Sequence, residues 1–504
     1  MSTKQFPQSS NLGGAIAEHV DPQQAWLIEV DAQGQERVFS YQDLRNQAAK
    51  IAGFLQQQGL PHGARVGLMG LNSAEYLLAY YGIMQAGYCA VPIGFKLAPE
   101  TIHYIVRDAA VQTVLCDDEF AHLLPEGVAH SSLPPLLTTV SQTHASAGVV
   151  EQQPSDAATI LYTSGSTGVP KGVPLTHGGY VWALQKMRVN GGEFFQTSQA
   201  KVLCAAPLSH MNALFLSKLV TSYGGTLVLL KKFTAHSFLQ ACQDHHCQVV
   251  TAVPTMLAMA LRALEESPKH YDFSSVVSVA MGSSPITDEL HRSVSALFPN
   301  ATVNNNWGTT ETGPAVFGPH PDGLTRPALS LGHPITDVEV RLGADNTEEG
   351  ELWVRSRAVM PGYLNRDDET AKALQDGWYK TGDVMRRDDD GFFYFVGRVD
   401  DMFVCGGENI YPSDVEKLLM KHPDVVQVAV VAVSDPIKGK VPAAFVVKRH
   451  ASLINEEDIK QFALSNGPVY QYPRHVRFID DMPLLANNKL DKLSIKKMAV
   501  GYAK

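Results

Sequence analysis

The sequence predicts a layered α/β protein with a largely parallel sheet and more than one domain. Three observations lead there. At 504 residues the chain outgrows one ordinary core, and length alone suggests about three to four domains or subdomains. Short apolar runs alternate with amphipathic stretches from residue 24 to about residue 150, the pattern of strand–helix–strand units. Finally, Tyr162-Thr163-Ser164-Gly165-Ser166-Thr167-Gly168-Val169-Pro170-Lys171-Gly172 follows directly on the apolar Thr159-Ile160-Leu161. A loop of that composition at a strand end is where α/β sheets place their ligands.

Taken in order, residues 24–30 and 36–40 read as two strands around a turn at 31–34. Tyr41 to Gln58 is an amphipathic helix that stops near Gly59, and Arg65 to Met69 is a short apolar strand. Asn72-Ser73-Ala74-Glu75 opens the next helix, because a serine side chain can cap the first free N–H groups. That helix runs to about Gln85, and Tyr88 to Pro92 returns as strand. There is no internal repeat and no low-complexity tract, and the polar segment 141–154 is the most linker-like stretch before the loop.

The loop holds four Ser/Thr hydroxyls, three glycines and one lysine within 162–172. Glycine lets backbone approach a ligand closely, and successive N–H groups with hydroxyls can cradle phosphate oxygens. A mobile linker uses the same small residues, but the ordered proline and lysine and the flanking strands argue against one. It is no Walker loop, because the Gly-Lys-Ser/Thr ending is missing.

Composition narrows the class. The chain is 45% hydrophobic and 18% charged, as soluble enzymes are. A formal charge of -10, from 41 basic against 51 acidic residues, argues against nucleic acid as the main partner. Residues 401–504 are slightly basic, with 14 Lys/Arg against 12 Asp/Glu, which suits anionic ligands. Six scattered cysteines make no disulfide framework and fit a reducing cytosol. The opening MSTKQFPQSSNLGG lacks the apolar core of a signal peptide. Apolar runs such as 428–433 are too short to span a membrane, and the last four residues are no peroxisomal address. A cytoplasmic protein without a membrane span is expected; a homodimer is compatible with the sequence.

The loop resembles the phosphate loop of the adenylate-forming enzymes, the superfamily of acyl-CoA synthetases, peptide-synthetase adenylation domains and luciferases. Further segments resemble that superfamily in order. Ala205-Ala206-Pro207-Leu208-Ser209-His210-Met211-Asn212 is similar to the segment whose histidine or aromatic gates the acyl site. A lone histidine is more often a packed or capping residue, and the Pro-Leu-x-His context is what points to function. The strand at 276–279 leads into Met281-Gly282-Ser283-Ser284-Pro285, whose counterpart packs on adenine. By contrast Cys242-Gln243-Asp244-His245-His246-Cys247 cannot aim four ligands from one helix at a single ion, and reads as a solvated helix end.

Asn306-Trp307-Gly308-Thr309-Thr310-Glu311 supplies an aromatic for stacking, hydroxyls and a carboxylate. The resemblance implies adenine on Trp307, where the family usually has Tyr, a change that keeps stacking and loses the phenol hydroxyl. A glutamate beside a triphosphate is repelled unless a divalent ion intervenes, so Glu311 reads as a Mg²⁺ ligand. Asp383, in Gly377-Trp378-Tyr379-Lys380-Thr381-Gly382-Asp383, matches the ribose-hydroxyl acceptor. Arg398 resembles the arginine that contacts ribose and phosphate, and Asp400 matches the hinge before a small C-terminal domain. There, Gly406-Gly407-Glu408-Asn409-Ile410 is the form typical of acyl- and aryl-CoA ligases. The residues after Glu416 leave no room for a carrier domain. Asn487-Asn488-Lys489 stands where the family has Ser/Thr-Gly-Lys, and Asn tolerates the positive φ that Gly would provide. Gln471 and Lys440 depart from the family's usual Lys and Glu at the CoA site.

The resemblance spans essentially the whole chain. It implies a large N-terminal region of two stacked α/β subdomains with a β-barrel-like piece (1–399), then a hinged α+β domain (400–504). It implies an AMP-forming acid–thiol ligase using ATP, Mg²⁺ and CoA. Thr163, Ser164, Gly165, Ser166, Thr167, Gly168 and Lys171 would hold phosphates. Gly282, Ser283, Ser284, Asn306, Trp307, Gly308, Thr310, Asp383 and Arg398 would hold the rest of the nucleotide, and Gly406 and Gly407 the CoA face. Lys489, His210, Thr163 and Lys171 would be catalytic. A small carboxylic acid would meet His210, Met211, Asn212, Met281, Asn306, Gly308, Thr309, Gly313 and Pro314. That set has no arginine, the usual partner of a second carboxylate. A dicarboxylic acid such as malonate is therefore disfavoured, and a medium-sized aromatic or branched acid with a hydrogen-bonding substituent is expected. Two other readings remain: a loader of carrier-protein thiols, separated by whether free CoA is consumed, and a non-catalytic nucleotide binder, separated by pyrophosphate release. Oxidative luciferase chemistry ranks lowest.

Overall fold

In the computed structural model the described residues are 9–141, 146–163, 169–190, 200–284, 286–405, 407–450, 452–485 and 489–502. The apolar runs become the strands of two largely parallel sheets. One has six strands, in the order His130–Ser132, Thr113–Cys116, Arg65–Met69, Cys89–Pro92, Ala157–Thr163, Lys171–Thr176; only the last runs antiparallel. The other has seven, in the order Thr302–Asn306, Ser278–Gly282, Val249–Ala252, Lys201–Cys204, Thr226–Leu230, Ala25–Val30, Glu36–Ser40; again only the last is antiparallel.

Helices fill the space between and around these sheets. Ala74–Gln85 is buried along its whole length, which is why its sequence is apolar all round. Ser73 caps it by accepting from the Tyr76 N–H, as its position predicts, worth about 1 kcal/mol. The predicted helix from Tyr41 ends at Gln56, with Gly59 at φ +69°. One continuous apolar cluster runs from Leu12 through both sheets to Phe393. Strand ends belonging to both sheets are therefore set in a shared core.

The small β-rich piece is an antiparallel sheet of five strands. Glu339–Leu342 and Glu349–Arg355 lie to one side of Trp378–Arg387, whose other edge takes Leu374–Gln375 and Phe393–Arg398. The C-terminal part has its own sheet, led by the long hairpin Val425–Asp435 and Gly439–Lys448, and its own apolar cluster from Phe403 to Ala499. It rests on the larger part through Ser413, whose hydroxyl donates to the Val396 carbonyl at 2.5 Å. Arg449 and Glu265 add an ion pair at 3.1 Å.

Three expectations are corrected. The strand placed at 276–279 is Ser278–Gly282. The described part of the linker-like segment is mostly exposed but pinned by hydrogen bonds: Ala147 N–H donates to the Ala49 carbonyl, Val150 N–H to that of Gln85, and the Val150 carbonyl accepts from Asn11. Cys242, His245 and Cys247 are buried rather than solvated. The helix Ala235–Asp244 turns there onto Val249–Ala252, and cysteine behaves as a small apolar residue in that corner.

Candidate active site

The carboxyl ends of the parallel strands carry several of the residues expected to act, and the antiparallel sheet and the C-terminal part carry the others. Thr163 ends its strand in register with Lys171; Ser164 to Gly168 lie outside the described residues. Gly282 ends another, and a Cβ there would stand 2.7 Å from the Asn306 carbonyl of the adjacent strand, so only glycine lets the two backbones come so close. Ser283 follows at φ +71°, a left-handed turn that exposes Ser283 and leaves Ser284 half-buried. Met281 is the exception. Alternation along the strand turns it with Val279 into an apolar cluster at 0% exposure. It therefore does not line an acid pocket; Ala280 occupies the opposite face.

After Asn306 the chain folds into a tight turn. The Thr309 N–H donates to Thr312 Oγ1 at 3.0 Å, and Thr309 bridges Gly313, whose φ is +69°. The turn sets Thr310, Glu311 and Pro314 at half-buried positions. Glu311 Oε1 accepts from the Tyr363 hydroxyl at 3.1 Å. This half-buried hard oxygen donor is the kind Mg²⁺ takes together with phosphate oxygens, so the residue fits that ion.

Lys171 donates to Glu369 at 2.6 Å and stands 5.0 Å over the Tyr363 ring. Tyr363 therefore touches both Lys171 and Glu311. Sequence reading missed Tyr363 and Glu369 because their partners are far away in the chain and no local pattern marks them.

Asp383 is 6% exposed. Arg398 donates to its Oδ1 at 2.7 Å and the Trp307 indole N–H to its Oδ2 at 2.7 Å. Burial raises the Asp383 carboxyl, while Arg398 and the Trp307 bond pull it back down.

His210 precedes the helix Met211–Tyr223 in extended conformation and does not cap it with its side chain. Met211 is half-buried and Asn212 exposed on the first turn. Burial, and then the positive charge of Lys489, push the His210 imidazole down to about 4, so it is neutral near pH 7. The lysine comes from the far end of the chain, and its carbonyl accepts from the Leu485 N–H at 2.7 Å. Burial lowers its ammonium, and Asp383 and Glu311 oppose that shift. His210, Asp383, Glu311 and Lys489 thus form one electrostatic cluster, gathered from four separate segments.

Asp400 lies in the one-turn helix Val399–Asp401, exposed, 3.8 Å from Arg398. Gly406 is outside the described residues; Gly407 has φ +96° with open space where a Cβ would be. Lys440 is exposed and Gln471 half-buried, both on the C-terminal part and away from the cluster's named contacts.

The family model of the AMP-binding enzymes matches residues 18–364, and that of their C-terminal domain matches 414–489. The chain belongs to the AMP-binding enzyme family. This AMP-binding enzyme is 30% identical over 490 residues to a 2-succinylbenzoate–CoA ligase of Bacillus pumilus, covering 95% of this chain and 96% of that one. It is 32% identical over 474 residues to a feruloyl-CoA synthase of Amycolatopsis sp., covering 91% and 93%. The o-succinylbenzoate CoA synthetase of Bacillus subtilis, solved with its acyl-adenylate intermediate, superimposes with a TM-score of 0.80 at 27% identity, covering 94% and 96%. Among the described residues, no helix of the AMP-binding enzyme is long and apolar enough to cross a membrane.

Proposed function

We propose that the protein is an AMP-forming acid–CoA ligase for a medium-sized aromatic or branched acid bearing a hydrogen-bonding substituent. The observation that carries this is that Lys489 is buried within range of the charges of Asp383 and Glu311 and shifts the neighbouring His210. A cation at that point would stabilise the negative charge that builds up between a carboxylate and a nucleotide phosphate. A carboxylate oxygen would attack the α-phosphorus of ATP, and pyrophosphate would leave. A thiol sulfur would then attack the acyl carbon, with AMP as leaving group. Lys489 and Lys171 stabilise charge in the first step, which is how fixed cations accelerate phosphoryl chemistry.

Glu311 is the residue that would hold Mg²⁺, whose charge neutralises the phosphate oxygens when bound. His210, neutral and weakly basic, forms a wall and hydrogen-bonding partner of the acyl site. The acid site then comprises His210, Met211, Asn212, Asn306, Gly308, Thr309, Gly313 and Pro314. Two relatives are named for aromatic acids, a succinylbenzoate and a feruloyl group, which supports the aromatic reading; succinylbenzoate carries two carboxylates, so that relative speaks against disfavouring every dicarboxylic acid. The two steps need different groups around one carbon, and rotation about Asp400, exchanging Lys489 for the Gly406-Gly407 face, meets that need. The enzyme works in the cytoplasm, in keeping with six free, buried cysteines.

The test is a panel of benzoates, cinnamates, a succinylbenzoate, branched acids, malonate and oxalate with ATP and CoA, read as pyrophosphate release and thioester formation. Turnover concentrated on ring-bearing or branched acids supports the reading. A strong preference for malonate or oxalate overturns it.

A further inference from the structure

We propose that Trp307 is a positioning residue for the nucleotide ribose: its indole N–H holds the Asp383 carboxylate in place before any nucleotide arrives. This rests on the nucleotide reading above and adds a second task to a side chain assigned only to stacking.

The geometry is specific. Asp383 is almost wholly buried, on a strand whose neighbour carries Arg398. Its two oxygens are engaged from opposite sides, Oδ1 by the guanidinium and Oδ2 by the indole, both at 2.7 Å. The backbone adds a further constraint, since the Asp383 N–H donates to Thr381 Oγ1 at 3.1 Å. The indole is itself braced edge-on against Phe317, with ring centroids 5.8 Å apart. A carboxylate oxygen accepts more than one hydrogen bond. Both Asp383 oxygens therefore retain capacity for ribose hydroxyls while their direction is already fixed.

The physical consequence is preorganisation. A buried carboxylate with a single cationic partner could swing about its own axis, and would have to be ordered when the ribose binds. With a second, neutral donor on the other oxygen that freedom is gone. The indole also favours the ionised form, the only one in which both oxygens accept. Tyrosine at this position would offer a ring face but no N–H where the indole nitrogen stands. The exchange of Trp for the Tyr more usual in the superfamily therefore trades a phenol hydroxyl for a grip on Asp383.

The test uses the whole enzyme and binding alone, so it does not depend on which acid is activated. Affinity for AMP and for 2′,3′-dideoxy-AMP is measured calorimetrically for the wild type, Trp307→Phe and Trp307→Tyr. If the indole N–H holds Asp383, the preference for AMP over the dideoxy compound falls on the order of tenfold in both variants, the scale of one hydrogen bond to a charged group. The acidic limb of AMP affinity also moves to higher pH, because Asp383 has lost a donor to its ionised form. If Trp307 only stacks on adenine, both nucleotides weaken alike, the ratio stands and the limb does not move; that result overturns the proposal while leaving nucleotide binding intact. A wild type that binds AMP no better than the dideoxy compound overturns it too. Asp383→Asn, which keeps the shape, should abolish the preference by itself, and adding Trp307→Phe to it should change nothing further.

Discussion

Lys171 and Glu369 form an ion pair at 2.6 Å across 198 residues of sequence, with the lysine side chain only 15% exposed. The lysine assigned to phosphate is therefore already engaged by a carboxylate. Glu369→Gln removes the competing charge. It should lower KM for ATP severalfold, and because the pair is partly exposed it should cost no more than about 1 kcal/mol of stability. A rise in KM instead would mean that Glu369 aims Lys171 at the phosphate rather than withholding it. Steady-state kinetics with a thermal melt separates the two.

Lys489→Ala separates the half-reactions. Adenylation should fall by roughly 10² or more, the order seen when one donor to developing charge is removed. Supplied with synthetic acyl-adenylate and CoA, the variant should still form thioester. Equal loss in both halves would mean that Lys489 only holds the fold.

For Glu311→Gln, the shape stays and the charge goes. Turnover should fall, and the Mg²⁺ concentration for half-maximal rate should rise. A wild-type Mg²⁺ dependence would make the residue structural, tied to Tyr363 alone.

Asp400→Pro tests the pivot. Proline fixes φ near -65°, so rotation at this point is frozen. One half-reaction should survive, adenylation being expected since the proposed mechanism needs Lys489 only there. Pyrophosphate release and thioester formation measured on one preparation decide it, and proportional loss of both would sink the pivot.

The buried His177 predicts a pH dependence of stability. Its Nδ1 accepts the Leu12 N–H at 2.8 Å, and burial, aided by Lys218, pushes the ring down from 6.5 to about 4. Above pH 6.5 it is neutral in both folded and unfolded chains. As pH falls from 6.5 towards 4 the unfolded chain takes the proton first, so stability is lost across that window. His177→Gln should melt lower at neutral pH but decline less steeply through the window. Parallel curves for the two proteins would show that His177 does not titrate on unfolding.

Much of this was legible in the sequence, for identifiable reasons. Arg65–Met69 and Ala74–Gln85 were found almost to the residue, because alternation, length and a capping serine are local signals. The segments at 281–285 and 306–311 could be picked out because small or polar residues follow short apolar stretches, whereas Asp383, inside the strand Trp378–Arg387, was marked only by the resemblance. Met281 was misplaced because the strand was ended at 279; it runs on to Gly282, and its alternation turns Met281 into the apolar cluster. The His/Cys segment misled because polar-looking letters were taken for solvent contact, whereas the fold buries Cys242, His245 and Cys247 at a helix–strand corner. Tyr363, Glu369 and the Trp307–Asp383 bond are matters of distance in space, and nothing local announces them.

The apolar cluster from Phe403 to Ala499 is separate from that of the larger part, and among the described residues the ties between the two include a hydroxyl on a carbonyl, a lysine on the Phe395 carbonyl and an ion pair at the surface. Such ties can be exchanged for water at small cost, whereas the interior cannot. On the pivot proposed at Asp400, the tail that carries Lys489 would detach and reseat as a preassembled cartridge. By the same logic, heat would melt it as a cooperative unit of its own, and a splice near residue 400 would let related enzymes trade this end of the chain without rebuilding either interior.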